Sequence, residues 1–400
     1  MTSRSNQSWI CCQLGAREHY AVPRALHLKG SLGEFFTDLW VRPGTFMHSW
    51  RKRLTGRFHP ALETAKITAP NIAALAFELK ACATRTNGWT LMRQRNDWFQ
   101  RRAVEQLSKD SNNGAHTVFA YSYAAENIFK FARERGWRTV LSQIDAGPVE
   151  ERIVAGLYKE SAAESHWEPA PAAYWDRWRA ECALADQIVV NSSWSKDALL
   201  SEGIPAEKIC VLPVAYEALP EVSDLQRHYP NKFSSERPLR VLFLGQVNLR
   251  KGVEQLFEAI KLLARENVEF WFVGPVQITV PSELKTHARV KWFGVAPRID
   301  VARFYRDADV FMFPTLSDGF GITQLEAQSW KLPVVASRYC GEVVQDGYNG
   351  LILDEVSGEA IATALVKFLH SPETLVAMSE ASGVSERFSV KTLAASLTSL

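Results

Sequence analysis

From Leu239 onward the apolar positions switch repeatedly between two periods. "LRVLFLG" (239–245) is a nearly unbroken apolar run, the pattern of a strand covered on both faces. The following "VEQLFEAIKLLARE" places Val253, Leu256, Phe257, Ile260 and Leu263 on one side of a helix. Strands "EFWFVG" and "VKWFG", helix "VARFYRDA", strand "VFMFP", a helix carrying Glu326, strands "PVVAS" and "GLILD", and helix "GEAIATALVKFL" complete the series. Strands that take turns with helices predict a parallel, doubly wound α/β domain.

The first half has the same alternation in looser form. "WICCQLG", "TVFAYSY", "RTVLSQID", "QIVVNS" and "ICVLPVAY" read as strands. "EHYAVPRALHL" reads as a helix, and one long helix is expected between Pro148 and Leu184. Residues 40–110 carry the weakest pattern, with basic "WRKRLTGRFH" as a loop. Polar "SDLQRHYPNKFSSERP" (Ser223–Pro238), interrupted by Pro230 and Pro238, is the linker. The expected fold class is therefore α/β, with two Rossmann-like doubly wound domains facing across a cleft. Their bounds are 1–225 and 236–382, and a C-terminal helix in 383–400 packs back on the first domain. Sheets of this kind bind ligands beyond the carboxyl ends of their strands.

The length, 400 residues, favours two cores over one. An apolar share of 46% and a charged share of 22% are those of an ordinary globular chain. No apolar run reaches the length of a membrane span, and "SWICCQLG" is too short for a signal peptide, so a cytoplasmic location is expected. The six cysteines form no CxxC pair; adjacent Cys11 and Cys12 read as core thiols in a reducing compartment. Net charge is only +2, yet residues 1–110 hold 17 Lys and Arg against 8 Asp and Glu. That excess fits either solvated helix faces or an anionic surface.

Two loops carry candidate chemistry. "FLGQVNLRKG" lacks GxGxxG and does not match GxxxxGK[ST], which excludes the usual dinucleotide and P-loop motifs. It does place Arg250 and Lys251 at the start of a helix, where two cations suit a diphosphate or simply a charged surface. In "FPTLSDGFGITQLEAQSW" the Gly319-Phe320-Gly321 turn leaves the amides of Gly321, Ile322 and Thr323 at a helix start. Asp318 precedes that turn and Glu326 follows it. Two carboxylates at a cleft mouth suit a polyol; taken singly, Asp318 reads equally as an N-cap and Glu326 as a surface residue.

Together these segments resemble the retaining family 4 glycosyltransferases of the GT-B fold. The resemblance rests on Asp318-x7-Glu326 within "DGFGITQLEA", on "LPVVAS", "FLGQVNLRKG" and "DVFMFPTLSDGFG". It also rests on "ADQIVVNSSWSKDALLSEGIPAEKICVLP" and "EVVQDGYNGLIL". It is firm over residues 180–370 and faint before them.

The resemblance implies a nucleotide-sugar donor, UDP- or GDP-linked, held by the second domain, and transfer with retention of anomeric configuration. Arg250 and Lys251 match the pair that neutralises the diphosphate, Glu326 the acid on the ribose, and Asp318 the acid on the transferred sugar. Gly319, Phe320, Gly321 and Ile322 flank that sugar, while Gly245 ends the strand before the basic loop. Val295 and Ala296 match the loop that meets the base. Gly15, in "QLGAREHY", stands where the family has a glycine-rich turn. The expected acceptor is a glycan or a lipid-linked glycan, reached through peripheral contact of the basic first domain with the inner membrane face. "WRKRLTGRFH" supplies Trp50, Arg51, Lys52, Arg53, Arg57 and Phe58 to that contact. No cofactor, essential metal or nucleic-acid partner is expected. There are departures from the pattern. The first acid is Asp rather than Glu, Lys331 stands where glycine is common, and the first domain lacks the family's His at its strand end. His19, Gln143 and Asp145 are the candidates for its place. The alternatives in other classes are a GT-B sugar-nucleotide epimerase and an inactive sugar-nucleotide-binding partner.

Overall fold

The computed structural model describes residues 8–44, 56–109, 114–161, 167–218, 222 and 225–400. The first sheet contains β1 (Ser8–Gln13), β2 (Leu32–Thr37), β3 (Ile67–Thr68), β4 (His116–Tyr121), β5 (Arg138–Gln143), β6 (Gln187–Val190) and β7 (Ile209–Val211). Its spatial order is β3-β2-β1-β4-β5-β6-β7, parallel throughout. The second contains β8 (Leu239–Leu244), β9 (Val268–Val273), β10 (Val290–Gly294), β11 (Val310–Phe313), β12 (Val334–Ala336) and β13 (Gly350–Ile352). Its order is β10-β9-β8-β11-β12-β13, again parallel.

Each order reverses direction once, between β1 and β4 in the first sheet and between β8 and β11 in the second. A doubly wound sheet opens a crevice where its strand order reverses. The loops that follow β1, β8 and β11 are those carrying Gly15, Arg250 and Asp318.

Burial follows the periodicity. Val253, Leu256, Phe257, Ile260 and Leu263 are all buried, packed in one cluster with Ile361, Leu365 and Phe368 of the helix Gly358–His370. Each such side chain contributes roughly 1.5–3 kcal/mol by leaving water. The first sheet has a core on each side, one built on Phe99, Phe129 and Trp178, the other on Tyr20, Phe35 and Phe119. The helix Val390–Ser399 joins the latter through Leu393, Ala394 and Leu397, against the helix Ala21–Leu28.

Several expectations change. The long helix after Pro148 is two, Pro148–Glu160 and Ala172–Leu184, because Pro169 and Pro171 stand between them and proline cannot sit inside a helix. The weakly patterned region 40–110 contains the helices Asn71–Ala83 and Gly88–Leu107. Strand β2 escaped the reading because only Phe35 and Phe36 stand out in "LGEFFT". The first helix begins at Ala21, not Glu18: Glu18, His19 and Tyr20 are all left-handed, with φ of 49°, 51° and 61°. The stretch 225–238 contains no helix or strand, but it is clamped to the second sheet rather than loose. Arg227 donates to the carbonyls of Tyr305 and Trp330 at 3.0 Å, and Arg237 donates two hydrogen bonds to the Asp309 carboxylate, at 2.7 and 2.6 Å.

Candidate active site between the two sheets

The carboxyl end of β8 leads through Gly245 into a loop that Asn248 caps, its side chain accepting from the Lys251 amide at 3.2 Å. This turn brings Arg250 and Lys251 against the segment that leaves β11. Gly252 permits the approach: its φ is +70°, and a Cβ there would lie 2.0 Å from the Pro314 carbonyl oxygen.

Lys251 Nζ is ion-paired with Asp318, and Arg250 Nη1 lies 3.9 Å from the same carboxylate oxygen. Burial alone would raise the Asp318 carboxyl. The two cations and the Phe320 amide outweigh it and hold the group below the usual carboxylate range. The Lys251 ammonium also lies 5.0 Å from the centre of the Phe313 ring.

A second acid comes from the first sheet's side. Glu150, in the first turn of the helix Pro148–Glu160, places Oε2 3.4 Å from Arg250 Nη1 and accepts from Ser317 Oγ at 2.8 Å. Arg250 Nη1 also donates to the Ser317 carbonyl at 2.7 Å. Burial pushes the Glu150 carboxyl up to about 7, against the pull of Arg250 and with the help of Asp145. Sequence reasoning missed Glu150, because an acid in a helix's first turn is the ordinary complement of the helix dipole.

Glu326 faces a different part of the cleft. Its Oε2 accepts from Tyr305 OH at 2.6 Å, and it lines a cavity of about 200 Å³ with Ile322, His19 and Arg24. His19 therefore belongs with Glu326 and not with Asp318. Tyr305 also escaped the sequence reading, since "VARFYRDA" shows it only as one more helical apolar position.

Gly319 is where the lobes touch: a Cβ on it would lie 2.0 Å from the Ile144 carbonyl oxygen, and its own carbonyl accepts from Ser192 Oγ at 2.8 Å. Gly321 has φ +78° and no room for a side chain, with Phe313 filling the space. The Phe320 ring is buried against Phe388, so that residue offers the site its backbone alone. Backbone bonding in the helix Thr323–Ser329 begins with Gln324 N to Gly321 O and Glu326 N to Ile322 O. The amides of Gly321, Ile322 and Thr323 precede it, which is the arrangement that favours anions and hydroxyls. Val295 is 72% exposed on the loop after β10, and Ala296 packs beneath it.

In the first lobe, Gly15 has φ +83° and its amide donates to Asp38 at 2.9 Å. Gln143 is fully buried: Oε1 accepts from Trp178 Nε1 at 2.9 Å, and Nε2 donates to Tyr123 OH and to Asp145. It positions Asp145 and offers nothing to a ligand. Asp145 is partly exposed and sits beside the Ile144–Gly319 contact. Lys331 has φ +56°, the left-handed region that glycine favours, and its Nζ holds the Ser382 carbonyl at 2.7 Å. Trp50, Arg51, Lys52 and Arg53 lie outside the described residues. Arg57 and Phe58 are half-buried: Arg57 is paired with Asp38 at 2.9 Å and Phe58 packs against Trp40.

Two parallel doubly wound sheets with a cleft at their switch points define the GT-B fold. Residues 238–371 match the family described as Glycosyl transferases group 1. Among curated relatives, the amylovoran biosynthesis glycosyltransferase AmsK of Erwinia amylovora is 27% identical over 206 residues, 47% of this chain and 48% of that one. The chain spans about half the length of this relative and of others it matches. Among solved structures, Anabaena HepE in complex with UDP and glucose superposes with a TM-score of 0.62 at 14% identity, covering 98% of each chain. The catalytic domain of starch synthase IV from Arabidopsis thaliana, bound to ADP and acarbose, gives 0.65 at 13% identity, over 98% of this chain and 97% of that one. These likenesses extend the GT-B fold across both lobes.

Proposed function

We propose that the protein is a glycosyltransferase that moves a sugar from a nucleoside diphosphate sugar, UDP- or GDP-linked, to a glycan acceptor with retention of anomeric configuration. The observation that carries this reading is the meeting of Arg250, Lys251 and Asp318 where the second sheet reverses its order. Arg250 and Lys251 neutralise the diphosphate, Asp318 and the Gly319–Ile322 amides hold the transferred sugar, Glu326 takes the ribose hydroxyls, and the loop with Val295 and Ala296 meets the base. Support comes from the group 1 domain match and from the UDP and glucose held by the HepE structure.

In the proposed step the bond from the anomeric carbon to the diphosphate oxygen breaks, and the electron pair leaves with the nucleoside diphosphate. The acceptor oxygen bonds to the same face of that carbon, and its proton passes to a departing phosphate oxygen. Cations fixed before the reaction stabilise the charge growing on the leaving group. Partial exclusion of water by closure of the cleft slows hydrolysis of the donor relative to transfer. No essential metal enters this scheme.

The acceptor reading includes peripheral contact with an anionic membrane face from the cytoplasmic side. The helix Asn71–Ala83 supports it: Ile72, Leu75 and Leu79, on one side of that helix, are 84%, 36% and 68% exposed. An apolar stripe in the chain's most basic quarter suits a headgroup boundary. Co-sedimentation with anionic but not neutral liposomes, weakened by salt, is the expected result. Equal partitioning to both, or none, contradicts the membrane contact.

The activity itself is tested by incubating the protein with radiolabelled UDP-, GDP- and ADP-sugars. Transfer or slow hydrolysis of one donor is expected. An epimerised donor, or binding without turnover, identifies one of the two alternative classes instead.

A further inference from the structure

A second cavity, of about 740 Å³, is lined by Arg250 and by residues of both lobes. Its first-lobe wall is aromatic. Tyr123 and Tyr174 are stacked with ring centres 4.8 Å apart, Trp89 meets Tyr174 edge-on at 5.0 Å, and Trp175 does so at 5.2 Å. The second-lobe wall is amide: Gln246, Asn248 and Gln277, with Asn248 Nδ2 donating to Gln277 Oε1 at 2.9 Å. Between them stands Asp145.

This wall is built and not incidental. Tyr123 has φ +73°, strain that a tyrosine adopts only when its surroundings impose it. The buried Glu181 carboxylate imposes it, accepting from the amides of Tyr123 at 2.6 Å, Ala125 at 2.7 Å and Glu126 at 3.2 Å. The Trp89 indole is fixed by the Glu168 carbonyl at 3.0 Å. Asp145 Oδ1 accepts from Tyr123 OH at 2.6 Å, Gln143 Nε2 at 2.8 Å and the Gly147 amide at 2.9 Å. Its Oδ2 accepts from no group among the described residues.

We propose that this cavity is the acceptor subsite and that its ligand is a neutral saccharide, laid on Trp89, Tyr123 and Tyr174 with a hydroxyl donated to Asp145 Oδ2. A pyranose ring has an apolar C–H face and a rim of hydroxyls. Aromatic rings take the face, and a carboxylate and amides take the rim. An acyl chain would leave those polar groups unpaired, at a cost. Arg250 is the one cation among the cavity's lining residues and the donor diphosphate occupies it in this reading, so a phosphorylated or otherwise anionic acceptor would meet Asp145 and Glu151 with no cation left to pair with. The placement fits transfer, because Ile144, next to Asp145, touches Gly319 beside Asp318. This inference rests on the glycosyltransferase reading.

The test is binding of the full chain to a panel of immobilised neutral oligosaccharides, sialylated and phosphorylated oligosaccharides, and acyl lipids, with nucleotide binding measured separately. Wild-type protein is expected to bind a subset of the neutral glycans. Trp89→Ala and Tyr174→Ala should each weaken that binding about tenfold, and Tyr174→Phe, which keeps the ring, should restore most of it. Circular dichroism and melting temperature show that the variants are folded. Binding of no neutral glycan, binding indifferent to Trp89→Ala in folded protein, or preference for anionic glycans or acyl lipids overturns the proposal. The two readings fail separately: glycan binding without any nucleotide binding removes the donor site alone, and the converse removes the saccharide subsite alone.

Discussion

Glu150→Gln isolates an acid that sits on the wrong side of the donor's charge. In the folded protein its carboxyl stands at about 7, raised from 4.5 chiefly by burial. When ionised it shares Arg250, 3.4 Å away, with whatever anion the site receives. A diphosphate placed at Arg250 brings negative charge to within about 6 Å of Glu150. At an effective dielectric constant near 20 each like-charge pair at that distance costs roughly 3 kcal/mol. That raises the carboxyl further in the complex, so the complex holds the proton through pH 8. Free protein at pH 8 is only about one-tenth protonated at this site, and at pH 6 about nine-tenths. The dissociation constant should therefore rise about tenfold from pH 6 to pH 8, or ~1.4 kcal/mol. A nucleoside diphosphate sugar is the right probe, because its diphosphate has no proton that titrates in this range. Calorimetry in buffers of differing ionisation enthalpy should show close to one proton taken up per ligand at pH 8. Glu150→Gln should bind with the wild-type affinity of pH 6 at both values. The same raised carboxyl has a stability consequence. Between pH 4.5 and 7 the native state holds this proton more tightly than the unfolded chain, so wild-type stability falls as pH rises through that window. The variant should escape this loss and be more stable than wild type above pH 7, by on the order of 1–3 kcal/mol, with the difference vanishing towards pH 4.5. A wild-type affinity flat between pH 6 and 8, or an unchanged slope in Glu150→Gln, would refute the linkage.

Lys251→Ala should lower kcat by roughly 2–4 kcal/mol, with a smaller change in donor KM, because its charge matters most as the diphosphate departs. Near-normal turnover in a folded variant sinks that role. Glu326→Gln should weaken binding of the free nucleoside diphosphate about tenfold, since it weakens a charged hydrogen-bond acceptor for the ribose; unchanged calorimetric affinity makes Glu326 merely the partner of Tyr305. EDTA should leave turnover intact, and loss of activity that Mg²⁺ or Mn²⁺ restores would reveal a metal requirement.

Much of the second lobe was legible because its two periods are clean. The helix after Gly252 and the strands around it bury the positions the pattern names, and the basic pair and Asp318 fall on loops at the strand ends. What the chain did not disclose are the contacts between distant segments. Glu150 lies 100 residues before Arg250 and looks like an ordinary first-turn acid. Tyr305 joins Glu326 only once β11 and its flanking helices are assembled. The first lobe was harder for a local reason. Its helix Asn71–Ala83 buries Ala74 and Ala81 while Ile72, Leu75 and Leu79 stay exposed, so apolar residues lie on both sides and no single face marks it in the sequence. The turn at Glu18–Tyr20 is left-handed without a glycine, which no propensity anticipates.

The most direct measurement of the central claim is proton NMR of the first product formed from the donor that the protein consumes. The account predicts a new glycosidic or hemiacetal anomeric signal with the donor's own configuration, appearing in step with free nucleoside diphosphate and lost in Lys251→Ala. A product of opposite anomeric configuration contradicts retention. A donor changed at a ring carbon, with no nucleoside diphosphate released, contradicts transfer altogether.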